Sequence, residues 1–345
     1  MQVLIDGRAL VGNRTGIGVH TAEIAQRLDV SPPPIIAAHA EIADRSGLEH
    51  CAFRVDAASL GVLWQQWKLP RVADAVSAGI LWGPHGTLPL NWRRPSVVTV
   101  HDFTSITMPG RHRLKTILSF NLFIARSLEQ ATRIACVSRA IADETIRGFG
   151  VAPSKIEIVP NGVDDFFSPD SDVGDGKAEG DYFLFTGTLE PRKGVHDLIA
   201  AWWSLPEPRP RLILCGDAGW KMRIPKLPGL EVTGYVTRER LRALYRGALA
   251  FVYPSHYEGF GIPPLEAMAC GAPVIATRTG AIPDFTDGAA MFVEPGDLDV
   301  LRAALVTVMR DATLRRELRA RGPEQARLWT WDRGARAMTE LLRCE

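Results

Sequence analysis

Residues 248–271 prescribe one way for the chain to run. An apolar stretch of strand length, 248–253, is followed by glycines at 259 and 261 that open a loop. Pro263-Pro264 then belongs in the first turn of a helix, and Gly271 is placed to stop it. Two carboxylates, Glu258 and Glu266, bracket the Gly-Pro loop with seven residues between them. A buried strand feeding a pliable loop and then a helix suits an α/β sheet. The bare N–H groups of the loop and the helix N-terminus make an anion site, with acids beside it to accept hydroxyls. A structural strand–turn–helix with two surface glutamates fits the same residues.

A chain of 345 residues has room for two such cores. Lys and Arg total 40 against 39 Asp and Glu, so no global field selects nucleic acid as a partner. Five cysteines lie far apart without CxxC spacing, and Cys136 and Cys215 fall inside expected strands as small hydrophobes. That usage fits a reducing cytosol rather than a disulfide framework or zinc site. Residues 1–6 read as a first strand, too short for a signal-peptide core. No apolar run reaches membrane-spanning length, so a soluble, cytoplasmic protein is expected.

Along the first half, a strand at 3–6 leads to a glycine-rich loop around Gly12, Gly16 and Gly18 and a helix to about residue 28. The loop lacks a glycine of the dinucleotide fingerprint and starts too late after the strand for it. A loop that lets a substrate approach the backbone is the better reading. Strands follow near 35–39 and 52–55, then a helical stretch at 62–78 whose Trp64 and Trp67 are expected on a core face. The β-branched run 96–100 ends in His101-Asp102, where a histidine at a strand's carboxyl end can serve a sugar or merely cap the strand. Residues 111–125 read basic then apolar, either touching an anionic membrane surface or packing as a core helix with a solvated end. Ser138 is an N-cap for a helix over 139–149, and a strand at 156–159 ends in P-N-G-V-D.

Residues 165–181 replace apolar periodicity with acid, Gly and Pro, as a linker does. D-x-D pairs stand at Asp170/Asp172 and Asp297/Asp299. The former lies in that linker and the latter reads as a helix N-cap and first turn, so no metal is expected. The second half repeats strand and helix, with strands at 182–186, 211–215, 230–233, 273–276 and 290–293. Closing helices begin at Asp297, with breaks near Asp311, Gly322 and Trp331. Arg192 and Lys193 sit at a strand's carboxyl end just before a helix. There a guanidinium and an ammonium suit a diphosphate, and a solvated surface loop is the plain alternative.

Together, G-T-L-E-P-R-K-G (187–194), V-P-N-G-V-D (159–164), G-Y-V (234–236) and E-G-F-G-I-P-P-L-E (258–266) resemble the retaining GT-B glycosyltransferases of family 4, among them bacterial surface-polysaccharide mannosyltransferases. The resemblance spans essentially the whole chain, more loosely in the first half. It implies two Rossmann-like domains facing across a cleft: an acceptor domain over 1–165, a donor domain over 166–328, and a closing helix at 329–345 that packs back on the first. It further implies that Glu258, Gly259, Phe260, Gly261 and His101 face the transferred sugar. Arg192, Lys193, Gly16, Gly261 and Leu265 would hold the diphosphate. Glu266 would take the ribose, and Tyr235 and Val236 the base, with His101, Lys193 and Glu258 as the catalytic group. Many members carry Arg directly after the strand glycine where this chain has Thr188, which rests the diphosphate on Arg192 itself.

The implied activity is transfer of a sugar, with retention and without a metal or other cofactor, from a nucleotide diphosphate donor to a glycan or lipid-linked acceptor in polysaccharide synthesis. GDP-mannose is the favoured donor, with UDP-sugars open and peripheral contact with the inner membrane allowed. A nucleotide-sugar epimerase or hydrolase, or an inactive nucleotide-sugar-binding partner subunit, are the rival readings. With Lys193 read as a solvated cation, Lys193→Ala should lose most turnover and leave the fold intact.

Overall fold

A computed structural model describes every residue except 13, 15, 108–122, 170–180, 220–221, 344–345 and the side chain of 105. The chain divides into two compact units, one of Met1–Gly162 with Trp331–Glu345 and the other of Val163–Thr330.

The first unit is built on seven parallel strands in the order β3-β2-β1-β4-β5-β6-β7. They are β1 (Val3–Asp6), β2 (Ile35–Ala38), β3 (Ala52–Val55), β4 (Ile80–Gly83), β5 (Ser96–Val100), β6 (Arg133–Cys136) and β7 (Ile156–Ile158). Strands β1, β2, β4 and β5 are buried throughout, the near-continuous apolar reading that a parallel sheet covered on both faces demands. The described helices are α1 (Gly16–Ala25), α2 (Gly61–Trp67), α3 (Leu69–Ala75), α4 (Thr104–Thr107) and α5 (Arg139–Phe149), with a further helical stretch at 123–130. Helix α5 shows why such boundaries are legible. Ser138 accepts from the Ile141 N–H, and Gly150 closes the helix at φ +65°.

The second unit has six parallel strands in the order β10-β9-β8-β11-β12-β13. These are β8 (Tyr182–Thr186), β9 (Arg211–Cys215), β10 (Leu230–Gly234), β11 (Ala250–Tyr253), β12 (Val274–Thr277) and β13 (Ala290–Val293). Its helices are α6 (Val195–Trp203), α7 (Arg238–Gly247), α8 (Ile262–Ala269), α9 (Ile282–Thr286), α10 (Leu298–Arg310) and α11 (Ala312–Ala326). The last helix, α12 (Trp331–Arg343), belongs to the first unit, where Gly334 lies so close to the Pro160 carbonyl that a Cβ would approach it to 2.3 Å.

Several local expectations change. Gly16 and Gly18 are not loop residues but open α1, and a Cβ on Gly18 would sit 2.5 Å from the Ala9 carbonyl, so glycine permits the helix to lie against the preceding turn. The stretch at 62–78 is two helices, because the chain turns at Lys68-Leu69-Pro70. In consequence only Trp64 packs into the core, while Trp67 is 63% exposed. No break occurs at Gly322: α11 continues through Pro323, and Gly322 gives it close approach to the Met268 backbone. Asp297 caps α10 by accepting from Val300 N–H, as its position suggested. Asp170, Asp172 and most of 111–125 lie outside the described residues. No helix among the described residues is long and apolar enough to cross a membrane.

Candidate active site

In the second unit, β8 and β11 run side by side, so the loops leaving their carboxyl ends are neighbours. The loop after β8 makes a single 3-10 turn, Pro191–Lys193, closed by Gly194 at φ +68°. The loop after β11 is stitched to it. His256 N–H donates to the Arg192 carbonyl at 2.8 Å, and the His256 ring meets Asp197 at 2.8 Å.

This stitching brings two sequence-distant charges into contact. Lys193 Nζ lies 2.6 Å from Glu258 Oε1 and donates to the Tyr253 hydroxyl at 2.8 Å. Ser255 Oγ donates to the same Glu258 oxygen at 2.5 Å, and Arg192 Nη1 stands 3.9 Å from Glu258 Oε2. Arg192 is also held by Glu190 at 2.9 Å. Burial alone would push the Glu258 carboxyl up, but Lys193, Arg192 and the hydrogen bonds outweigh it and hold the group below the usual carboxylate range. Burial also draws the Lys193 ammonium below the ordinary lysine range against the pull of Glu258. Lys193 is therefore a buried ion-pair partner, not the solvated loop cation read from the sequence. Removing it would strand a buried carboxylate, which reverses the expectation that the fold would be indifferent.

The second carboxylate has another environment. Glu266 lies in α8, where Tyr245 donates its hydroxyl to Oε2 at 3.0 Å while also meeting Thr186 Oγ1 at 2.8 Å. Burial pushes the Glu266 carboxyl up to about 7, with the Tyr245 hydrogen bond and Arg238 opposing and Asp164 adding to the rise. Two glutamates with seven residues between them thus differ in charge state because, among the described residues, only Glu258 has a cation in contact.

Helix α8 begins at Ile262, with Gly261 as its N-cap at φ +99°. Pro263 and Pro264 carry no N–H, so the open donors of this first turn belong to Gly261 and Ile262. Leu265 sits at the fourth helical position with its side chain fully buried. Phe260 packs its ring 5.5 Å from Phe285 and 5.9 Å from Trp329. Tyr235 and Val236 follow β10, and Tyr235 is 74% exposed. Ser255, Tyr253, Tyr245 and Thr186 are site residues that sequence reasoning missed. Each is a hydroxyl at a strand end or on a helix, and nothing local distinguishes it from a packing residue.

His101 and Gly16 belong to the first unit. A Cβ on Gly16 would meet nothing within 4 Å. His101 Nε2 lies 2.9 Å from the Pro84 carbonyl and so carries the proton, leaving Nδ1 as an acceptor. Burial lowers the ring to about 4, the Pro84 bond opposing and His85 assisting. The rings of His101 and His20 stand nearly perpendicular with centroids 4.8 Å apart, and His20 in turn pairs with Asn161 of the P-N-G-V-D stretch at 2.7 Å. A small cavity beside His101 is lined by Ile17, His85, Gly86 and Asp102.

Residues 14–165 match the model of Glycosyltransferase Family 4, and residues 170–325 match that of Glycosyl transferases group 1. O-antigen chain mannosyltransferase B of Escherichia coli is 33% identical over 286 residues, which cover 78% of this chain and 74% of that one. The chain belongs to glycosyltransferase family 4. O-antigen chain mannosyltransferase RfbU of Salmonella typhimurium is 29% identical over 231 residues, 65% of this glycosyltransferase and 63% of the relative. The fold is GT-B. HepE of Anabaena, solved in complex with UDP-glucose, superposes with a TM-score of 0.80 at 21% identity over 99% of each chain. Sucrose-phosphate synthase of Thermosynechococcus elongatus gives 0.78 at 20% identity over 99% of this chain and 98% of that one.

Proposed function

We propose that the protein transfers a hexose, with mannose from GDP-mannose the first candidate, to a growing surface polysaccharide with retention of anomeric configuration. The observation that carries this reading is the Lys193–Glu258 pair with Arg192 beside it, set next to the N-terminus of α8. Departure of a nucleoside diphosphate builds negative charge on the leaving group, and preorganised cations and backbone N–H groups stabilise it without reorganisation. Arg192, Lys193 and the Gly261 and Ile262 N–H groups are assigned to the diphosphate, Glu258 and the backbone at 259–261 to the sugar, and Glu266 to the ribose. Tyr235 and Val236 are assigned to the base. His101, neutral and with an Nδ1 that has no partner among the described residues, is assigned to a sugar hydroxyl. These cations do without a metal in this scheme, so EDTA should leave turnover unchanged. Likeness to O-antigen mannosyltransferases of Escherichia coli and Salmonella typhimurium supports mannose, whereas UDP-glucose in the HepE complex keeps a UDP-sugar as the second reading. A thermal-shift panel of GDP- and UDP-sugars separates the two, the true donor giving the larger rise.

Neither glutamate is free to attack the sugar: Glu258 is tied to Lys193, and Glu266 is in a helix bound to Tyr245. The leaving phosphate then takes the acceptor's proton on the face it departs from. Incubation with donor and acceptor, followed by NMR of the product, should show an α linkage from an α donor. A β linkage sinks the assignment.

Glu266 adds a pH dependence. Its folded pKa of about 7 lies above the ordinary 4.5, so the folded chain holds a proton that the unfolded chain has released between these values. Its contribution to stability therefore falls as pH rises from 4.5 to 7 and is fully unfavourable above 7. Ribose hydroxyls bind the carboxylate best, so donor affinity should rise several-fold from about pH 6 to pH 8. Glu266→Gln should weaken donor binding, flatten that profile and raise the melting temperature at alkaline pH. Calorimetric titration across the range checks the first two, and a profile unchanged by the substitution would remove Glu266 from the ribose site.

A further inference from the structure

In the first unit, four adjacent strands, β2, β1, β4 and β5, lead at their carboxyl ends to His39, Asp6, His85 and His101 along one edge of the sheet. The turn after β4 folds tightly, since a Cβ on Gly83 would lie 2.7 Å from the Thr87 carbonyl. This places Thr87 against the end of β1. Asp6, completely buried, receives Arg8 Nε at 2.9 Å on both oxygens and Arg8 Nη2 at 2.7 Å. Gln65 Nε2 from α2 donates to Asp6 at 3.0 Å and to the Thr87 carbonyl at 2.8 Å, and Arg8 Nη2 reaches Thr87 Oγ1 at 3.2 Å. The Arg8 guanidinium is thereby fixed and its charge cancelled, with Nη1 lacking a partner among the described residues.

On either side of Arg8 stand histidines without hydrogen bonds to any described residue. His39 follows β2, and its Nδ1 is shut from solvent without a partner. Its ring and the Arg8 stem share the space beside Gly61, where a Cβ would meet them at 3.1 and 3.3 Å. His85 follows β4 and lines the cavity beside His101. Burial lowers His85 to about 4 and also lowers His39, with Arg8 adding to both, so the imidazoles are neutral near pH 7. A buried nitrogen without a partner is uncommon enough in folded proteins to call for a ligand or a water.

We propose that this edge, from His39 through Arg8 to His85, is the subsite for an uncharged saccharide acceptor and reads its hydroxyls. A hydroxyl can donate to a histidine nitrogen and accept from Arg8 Nη1, which matches the two kinds of open position found here. An anionic sugar gains no net attraction from Arg8, whose charge Asp6 already balances, and would give up its hydration beside neutral imidazoles. The carboxyl ends of parallel strands are also where doubly wound sheets take ligands. The assignment rests on the transferase reading, since it is the acceptor that such an enzyme must also hold.

The test is binding by saturation-transfer NMR, which needs no turnover. The full chain is titrated with neutral α-linked mannose disaccharides, their glucose counterparts and the same disaccharides carrying a 6-phosphate. Neutral saccharides should bind at least tenfold more tightly than the phosphorylated forms, and His39→Ala and His85→Ala should each weaken them tenfold or more. Neither imidazole makes a hydrogen bond to a described residue, so both variants should stay folded, which melting curves recorded alongside the titrations check. Equal or tighter binding of the phosphorylated sugars overturns the proposal, as do unchanged affinities in the variants or no saccharide binding at all. An absence of donor turnover with saccharide binding intact would instead overturn the transfer reading. Active enzyme whose acceptor KM is untouched by His39→Ala and His85→Ala would overturn only the subsite.

Discussion

Lys193→Ala should lower kcat by roughly 10²–10³, the cost of removing one preorganised donor from a developing anion. It should also destabilise the second unit by about 3–5 kcal/mol, because Glu258 is left as a buried charge without its partner. The two losses have separate causes, and a double substitution separates them. Lys193→Met with Glu258→Gln removes both charges and keeps much of the volume, so stability should return toward that of the parent while turnover stays at least as low as in Lys193→Ala. Denaturant unfolding alongside initial-rate kinetics provides the check. A Lys193→Ala enzyme with parental stability would mean that Glu258 is protonated or re-paired in the folded chain. Parental turnover would take the diphosphate site away from its central cation.

Gly194→Ala should do nearly as much damage with a single methyl group. Gly194 sits at φ +68°, and a Cβ there would lie 2.0 Å from the Pro254 carbonyl oxygen and 3.1 Å from its Cγ. The left-handed conformation alone costs alanine about 1–2 kcal/mol. The overlap is with backbone, so the loop after β8 must move away from the loop after β11, taking the Lys193–Glu258 contact with it. We expect a loss of about 3 kcal/mol, or a melting temperature lower by roughly 6–12 °C for a unit of this size. Activity should fall at least tenfold, since a displacement of about 1 Å is enough to disturb a transition state. Calorimetry and kinetics on the same preparation test this. A variant that melts and turns over like the parent would mean that the two loops tolerate separation.

Both predictions turn on what local pattern can and cannot reveal. Strand and helix periods, Ser138 as a cap, Gly271 as a stop, and the Pro-Pro helix start were all legible, because each is enforced within a few residues. The break expected at Gly322 failed for the complementary reason. A helix packed against α8 tolerates Gly and Pro where an isolated one does not, and α8 ends at Ala269, far from Gly322 in sequence. Trp67, expected in the core beside Trp64, ends exposed because α2 stops there and the chain turns into α3.

The same division runs through the site. From residue order alone come two parallel α/β cores, cations at one strand end and acids around a Gly-Pro loop, since backbone geometry and amphipathic period are short-range properties. The structure adds which charge meets which. Lys193 reads as a solvated cation until β8 and β11 stand side by side and bury it against Glu258. The resemblance gives Glu266 and Glu258 different roles, but that they differ in charge follows only once Tyr245, rather than a cation, is found beside Glu266. Asp6, Arg8 and His39 carry no motif at all, and become a cluster only where β1, β2 and the turn after β4 end together. Charge state depends on burial and on neighbours brought from tens of residues away, and those are tertiary quantities.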